Sequence, residues 1–119
     1  MCGVTGLIHL DNSPVSFSVL QDMTKAIAHR GPDGEGHWIE GNVGLGHRRL
    51  SVIDLSSAGY QPMVCADHRY WLSYNGEVYN FRELRKELKA KGYWFRSETD
   101  TEVVLNALAE WGAKALIRF

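Results

Sequence analysis

The stretch Met1-Cys2-Gly3-Val4-Thr5-Gly6-Leu7-Ile8-His9-Leu10 decides how the rest of the chain is read. Val4, Leu7, Ile8 and Leu10 make it apolar, and its length predicts a buried first strand over Cys2 to Leu10. The cluster Asp11-Asn12-Ser13-Pro14 then turns the chain. The strand thus opens on a cysteine directly behind the initiator methionine. Methionine followed by a small residue is usually trimmed, which would leave a thiol and an α-amine on one residue. A thiol titrates near ~8.5 and an α-amine near ~7.7–8.0, so close to neutral pH some amine is free to take the thiol proton. Such an amine can activate its own residue as a nucleophile. Taken alone the signal is weak, and Cys2 reads as a residue of no special consequence. The later motifs decide between the two readings.

Bulk properties narrow the field. The chain has 119 residues, enough for one small domain. At 45% hydrophobic and 23% charged residues it is globular in composition. A formal net charge of −1, with no run of Lys/Arg longer than two, argues against nucleic acid or an anionic membrane as the main partner. No apolar run is long enough for a membrane span, and no basic segment precedes an apolar leader. Cys2 and Cys65 do not make a disulfide scaffold, so the expected setting is a reducing cytoplasm. The chain stops at Ala115-Leu116-Ile117-Arg118-Phe119 with no polar tail. That predicts a domain cut before its core is complete; a short terminal helix docked on the body is the alternative.

Phe17, Leu20, Met23 and Ile27 recur at helical spacing. Ser16 is the expected cap and Gly31, before Pro32, the expected stop. Gly36 to Glu40 and Val43 to His47 predict a hairpin across Gly41-Asn42. After a loop over Ser56 to Asp67, Tyr70 to Tyr74 predicts a strand and Asn75-Gly76 a tight turn. Asn80 with Glu83 predicts a capping box opening a helix that Gly92 closes, with Glu87 and Lys91 as an ion pair one turn apart. Thr99 with Glu102 predicts a second box, before a helix that Gly112 ends. The order implies an α+β fold with antiparallel pairing.

Five segments carry a resemblance. They are Met1-Cys2-Gly3, His29-Arg30-Gly31-Pro32-Asp33-Gly34, Gly46-His47-Arg48-Arg49-Leu50-Ser51, Tyr74-Asn75-Gly76-Glu77-Val78-Tyr79-Asn80 and Ser97-Glu98-Thr99-Asp100-Thr101-Glu102. In this order and spacing the chain resembles the glutaminase domain of glutamine-hydrolysing asparagine synthetases, a class II glutamine amidotransferase of the N-terminal-nucleophile hydrolases. The resemblance runs from residue 1 to about residue 112. It implies a four-layer αββα sandwich of two antiparallel sheets that continues past Phe119. Residues 1–119 would then be the N-terminal part of the domain, with the synthetase domain absent. No cofactor is implied for this chain; ATP and magnesium belong to that missing domain. The implied partners are L-glutamine and the synthetase domain, and the oligomeric state stays open, a homodimer included. Asparagine biosynthesis from aspartate is the family default, while relatives amidate sugars or peptides.

The resemblance also assigns roles. Cys2 would attack the glutamine side-chain carbonyl, with its own α-amine as the proton carrier. Asn75 and Gly76 would form the oxyanion hole, where one donor is worth roughly 10²–10³ in turnover. Arg49 would grip the α-carboxylate, for which a planar guanidinium fork is suited. Asp100, helped by Glu77, would hold the α-ammonium, and backbone carbonyls from Leu50 through Val52 to Ile53 would contribute. Each has a plainer reading: a hairpin turn at Asn75-Gly76, a surface charge at Arg49, a first-turn acid at Asp100. Arg48 is expected to be a surface charge, His47 a satisfied core residue, and His29, Arg30 and Asp33 braces for the loop over the nucleophile. His9, His37 and His68 show no metal-ligand spacing. Two other readings compete: an internal Cys–His hydrolase using Cys65 with His47 or His68, and a non-catalytic glutamine-binding module.

Overall fold

The computed structural model describes residues 1–119. In chain order it comprises β1 (Gly3–Ile8), α1 (Phe17–Ala26), a 3₁₀ turn (Ala28–Arg30), β2 (Gly34–Glu40), β3 (Val43–Arg49), a second 3₁₀ turn (Ser57–Gly59), β4 (Met63–Val64), β5 (Trp71–Leu72), α2 (Phe81–Ala90), α3 (Asp100–Trp111) and a 3₁₀ segment (Gly112–Ile117). The fold is α+β, as expected, with two small antiparallel sheets ordered β1-β3-β2 and β4-β5. The chain forms two compact units. One comprises Met1–Val52, Tyr60–Pro62 and Ser73–Asn75; the other comprises Ile53–Gly59, Met63–Leu72 and Gly76–Phe119.

In the first unit the hairpin forms where expected. Glu40 pairs with Val43 across Gly41-Asn42, and Gly41 takes φ +55°, a left-handed turn conformation suited to glycine. β1 adds to the free edge of β3, with Gly3 opposite Arg48 and Ile8 opposite Val43. Helix α1 lies on one face of this sheet and buries Leu20 and Thr24 completely. Small residues on β3 let it approach. A Cβ at Gly46 would run into the Thr24 and Thr5 hydroxyls, and one at Gly44 into Val15 and Leu20. The two threonine hydroxyls meet at 3.1 Å, and Thr24 Oγ1 donates to the Leu20 carbonyl at 2.8 Å.

The expectation of a buried first strand is corrected. Gly3 is buried, but Val4 is 46% and Ile8 60% exposed. Alternate residues of a strand point to opposite faces, and α1 covers only the face carrying Gly3 and Thr5. An apolar composition does not say how many faces will be covered. Helix α1 also ends earlier than expected, at Ala26, and a 3₁₀ turn carries the chain on to Gly31. Ser16 sits at the N-cap position, yet its hydroxyl pairs with Ser18 Oγ rather than a helix N–H.

The second unit has its own core, in which Met63, Cys65 and Leu105 pack with Leu72. Leu84 and Leu88 of α2 are buried, as is every residue of α3 from Asp100 to Ala107. Gly92 closes α2 at φ +95°; the Gly92 N–H donates to the Lys89 carbonyl and the Tyr93 N–H to the Leu88 carbonyl, both at 3.0 Å. This is the glycine-dependent stop read from the sequence.

Two local pairings expected on α2 do not form. Asn80 Nδ2 donates to the Arg118 carbonyl at 2.7 Å instead of capping the helix. Glu87 is held by Arg118 at 2.7 Å and Lys91 by Glu110 at 3.2 Å, so the Glu87–Lys91 pair is replaced on both sides. An exposed pair one turn apart is worth only ~0.2–0.5 kcal/mol, which tertiary partners readily outweigh. The strand expected over Tyr70 to Tyr74 shortens to Trp71–Leu72. In the C-terminal segment Ala115 is buried while Leu116 and Ile117 are exposed.

Candidate active site

Cys2 stands at the head of β1, partly exposed. Because β1 and β3 run antiparallel with Gly3 opposite Arg48, the start of one strand lies beside the end of the other. The Leu50 N–H donates to Cys2 Sγ at 3.4 Å, and the thiol faces the Leu50 carbonyl at 3.7 Å. Met1 is 76% exposed, so the residue whose removal would free the Cys2 amine is accessible. With Met1 in place the Cys2 nitrogen is a peptide nitrogen and carries no base.

The segment from Ala28 to Gly34 braces this corner, in keeping with the expectation for Arg30 and Asp33. Arg30 Nε donates to the Cys2 carbonyl at 3.4 Å. Asp33 holds the end of β3 twice: its N–H donates to the Arg49 carbonyl at 2.9 Å, and its Oδ2 accepts from the Ser51 N–H at 2.8 Å. Gly31 is buried, and a Cβ there would overlap the Arg48 and Arg49 backbone. Arg48 is not the surface charge expected. It donates to the Gly31 carbonyl at 3.1 Å, pairs with Glu35, and leaves only 15% of its side chain exposed. The Gly31 carbonyl and the Glu35 carboxylate hold this guanidinium against the sheet. His29 remains exposed.

Arg49 is buried, at 4% exposure, with its guanidinium 5.2 Å from the Tyr60 ring centroid. Tyr60 carried no signal in the sequence; only the folded path of the 53–60 loop brings an aromatic ring to this cation. Leu50 is half-buried and Val52 75% exposed. His47 is the satisfied core residue expected, with Nε2 3.2 Å from the Tyr74 carbonyl. Burial pushes its pKa below the usual imidazole value; the Tyr74 carbonyl opposes this and the Arg49 charge adds to it. The residues before Asn75 are tied down, Ser73 Oγ donating to the Gly46 carbonyl at 3.0 Å and the Tyr74 N–H to Gln61 Oε1 at 2.6 Å. Asn75 itself is exposed. The tight turn expected at Asn75-Gly76 is absent, since residues 73–78 form no turn or bend. With the flanking Ser73 and Tyr74 anchored by side chains, the segment needs no turn hydrogen bond to hold its path.

The second unit carries the other assigned residues. Gly76 and Glu77 are exposed. Asp100 is buried, at 7% exposure, and its Oδ2 accepts from the Val78 N–H at 3.0 Å. The Ser97 to Glu102 motif is a hydrogen-bonded frame around it. Thr99 Oγ1 accepts from the Glu102 N–H at 3.3 Å, as the box predicts. The Glu102 carboxylate reaches further back, accepting from Arg96 N at 2.9 Å and from both Ser97 N and Ser97 Oγ at 2.7 Å. Arg85, buried on α2, donates to the Ser97 carbonyl at 2.8 Å and the Thr99 carbonyl at 2.9 Å. The sequence hid this role, because an arginine in a charge-rich helix reads as solvated.

Cys65 is not poised against an imidazole. It is buried, its thiol donates to Asp67 Oδ1 at 3.0 Å, and its sulfur accepts from the Tyr70 N–H at 3.2 Å. That thiol and Arg69 hold the Asp67 carboxyl down to about 2. A cavity of about 530 Å³ in the second unit is lined by residues that include Cys65, Tyr93, Glu102 and Asn106, and by none of the assigned site residues. No group of three or more His, Cys, Asp or Glu residues is placed to hold a metal ion. No helix is long and apolar enough to cross a membrane.

Fold and site together describe an α+β chain that presents a thiol at the head of its first strand, held against Leu50 and braced by the 28–34 segment. The family of glutamine amidotransferase domains matches residues 1–119, and the chain belongs to it. Two asparagine synthetases [glutamine-hydrolyzing] of Bacillus subtilis are similar. Number 1 is 44% identical over 88% of this chain, and number 3 is 43% identical over 93%. Asparagine synthetase [glutamine-hydrolyzing] 1 of Arabidopsis thaliana is 37% identical over 94%. The chain spans 17%, 18% and 19% of the length of these three relatives.

Proposed function

We propose that this chain hydrolyses the side-chain amide of glutamine through Cys2 and releases ammonia for an amidation. After removal of Met1, the Cys2 amine takes the thiol proton as the sulfur attacks the amide carbonyl carbon. The C–N bond breaks, the proton leaves with ammonia, and a γ-glutamyl thioester remains. Water cleaves it to glutamate and restores the thiol. Asn75 and Gly76 stabilise the oxyanion. Arg49 grips the α-carboxylate, and Asp100 and Glu77 the α-ammonium, with Leu50 and Val52 lining the site. One cation with two anions reads a free amino acid and rejects a peptide-embedded glutamine. The observation that carries this reading is the seat of the Cys2 sulfur on the Leu50 backbone, within a chain matched along its length by the glutamine amidotransferase family.

In this reading residues 1–119 are the N-terminal part of an αββα sandwich, and a synthetase domain uses the ammonia with ATP and magnesium. Aspartate is the proposed acceptor, because the relatives are named asparagine synthetases. The proposed cytoplasmic setting rests on the two free thiols. A diazo-ketone analogue of glutamine, followed by intact-mass and peptide mass spectrometry, tests the chemistry. One adduct on residue 2, on protein lacking Met1, is the expected result. Labelling that follows Cys65 instead, or survives Cys2→Ala, would overturn it. Glutamine binding without ammonia release would make the chain a binding module.

A further inference from the structure

The geometry points to Asp33 as a positioning residue that aims the Leu50 N–H at the Cys2 sulfur. This inference rests on the proposed role of Cys2. Leu50 is the residue between the two points that Asp33 holds, the Arg49 carbonyl at 2.9 Å and the Ser51 N–H at 2.8 Å. The Asp33 N–H fixes the 49–50 peptide, whose N–H meets Cys2 Sγ at 3.4 Å, and the Asp33 carboxylate fixes the 50–51 peptide, which carries the Leu50 carbonyl. The sulfur gains negative charge when its proton leaves. A hydrogen bond to the charged form favours that form, whereas the facing Leu50 carbonyl at 3.7 Å favours only the thiol. How closely the sulfur meets each of the two depends on the tilt of these successive peptides about Leu50, which lies beyond the last residue of β3 and has no ladder partner on β1 or β2. Asp33 supplies the missing constraint. Gly31 lets it do so, because only glycine there lets the 28–34 segment lie against Arg48 and Arg49. Arg30, in the same segment, steadies the other side of the nucleophile through the Cys2 carbonyl.

The test is the rate at which iodoacetamide alkylates each cysteine of the 119-residue chain, read by mass spectrometry. Buried Cys65 reports on global loosening and Cys2 on its local seat. Asp33→Ala keeps the N–H that holds the Arg49 carbonyl but frees the 50–51 peptide, so the Leu50 N–H loses half of its support. Alkylation of Cys2 is expected to slow several-fold, within the roughly tenfold set by losing one hydrogen bond to a charged group, with Cys65 as protected as in the parent chain. Asp33→Asn retains an acceptor oxygen for the Ser51 N–H and should recover most of the rate. In glutamine hydrolysis the loss should fall on kcat, with KM within about twofold. Unchanged or faster alkylation of Cys2 in Asp33→Ala would overturn the assignment. So would exposure of Cys65 in both variants, which would make Asp33 a stabilising residue only. Iodoacetamide needs no glutamine, so a parent chain that alkylates normally but releases no ammonia refutes the proposed function and leaves this measurement readable.

Discussion

The carboxylate of Asp100 accepts the Val78 N–H at 3.0 Å, although the two residues lie 22 positions apart. The first turn of α3 thereby holds the backbone that follows Asn75, Gly76 and Glu77. The residue proposed for the ammonium group of glutamine thus also fixes the irregular backbone just after Gly76 and Glu77. The proposed role is compatible with this contact, because Val78 uses only one carboxylate oxygen.

Asp100→Ala should therefore cost both stability and binding. The Val78 N–H would be left buried without an acceptor, a loss of about 1–3 kcal/mol. Urea unfolding should show that loss, and isothermal calorimetry should show weaker glutamine binding. Asp100→Asn should recover most of the stability while binding stays weak. If Asp100→Ala unfolds like the parent chain, the contact with Val78 carries no weight.

Glu102 is the acid on which the frame around Asp100 depends. Glu102 is buried, at 4% exposure, and its carboxylate accepts from Arg96 N, Ser97 N and Ser97 Oγ. Glu102→Ala should destabilise the chain by about 3 kcal/mol or more, because three donors lose their partner at once. Glu102→Gln keeps one acceptor oxygen and should lose less. Denaturant midpoints for the two variants check the order.

His47 should make stability depend on pH. Burial lowers its pKa below the unfolded value of 6.5. As pH falls below 6.5 the unfolded chain takes up a proton that the folded chain resists, so folding weakens until the folded value is passed. Above that window the neutral ring carries no such penalty. Urea midpoints at pH 7.5 and pH 5.5 should differ in this sense, and His47→Gln should flatten the difference. A parent chain equally stable at both pH values would contradict the prediction.

The proposed proton carrier can be tested without touching the thiol. A glycine inserted between Met1 and Cys2 would leave a glycine amine at the terminus after trimming and turn the Cys2 nitrogen into a peptide. Ammonia release should fall to the level of Cys2→Ala, while iodoacetamide still reaches the sulfur. Full activity of the insertion variant would show that the base lies elsewhere.

Local spacing in the sequence was enough for the features whose partners are near neighbours. The hairpin at Gly41-Asn42, the glycine stop at Gly92 and the Thr99–Glu102 cap each depend on residues within a few positions of one another, where backbone geometry leaves few choices. The five motifs likewise disclosed the family, because a motif is itself a local pattern. Tertiary structure alone decided which of several equivalent charges would pair. Arg118 took Glu87 from Lys91, Arg48 turned inward to Glu35, and Arg85 became buried wiring beneath Ser97 and Thr99. It also decided that one face of β1 stays open, and that Asp33 reaches across to Ser51. The reason is energetic. A charged side chain in sequence has many partners of nearly equal worth, and only the packed backbone removes all but one of them.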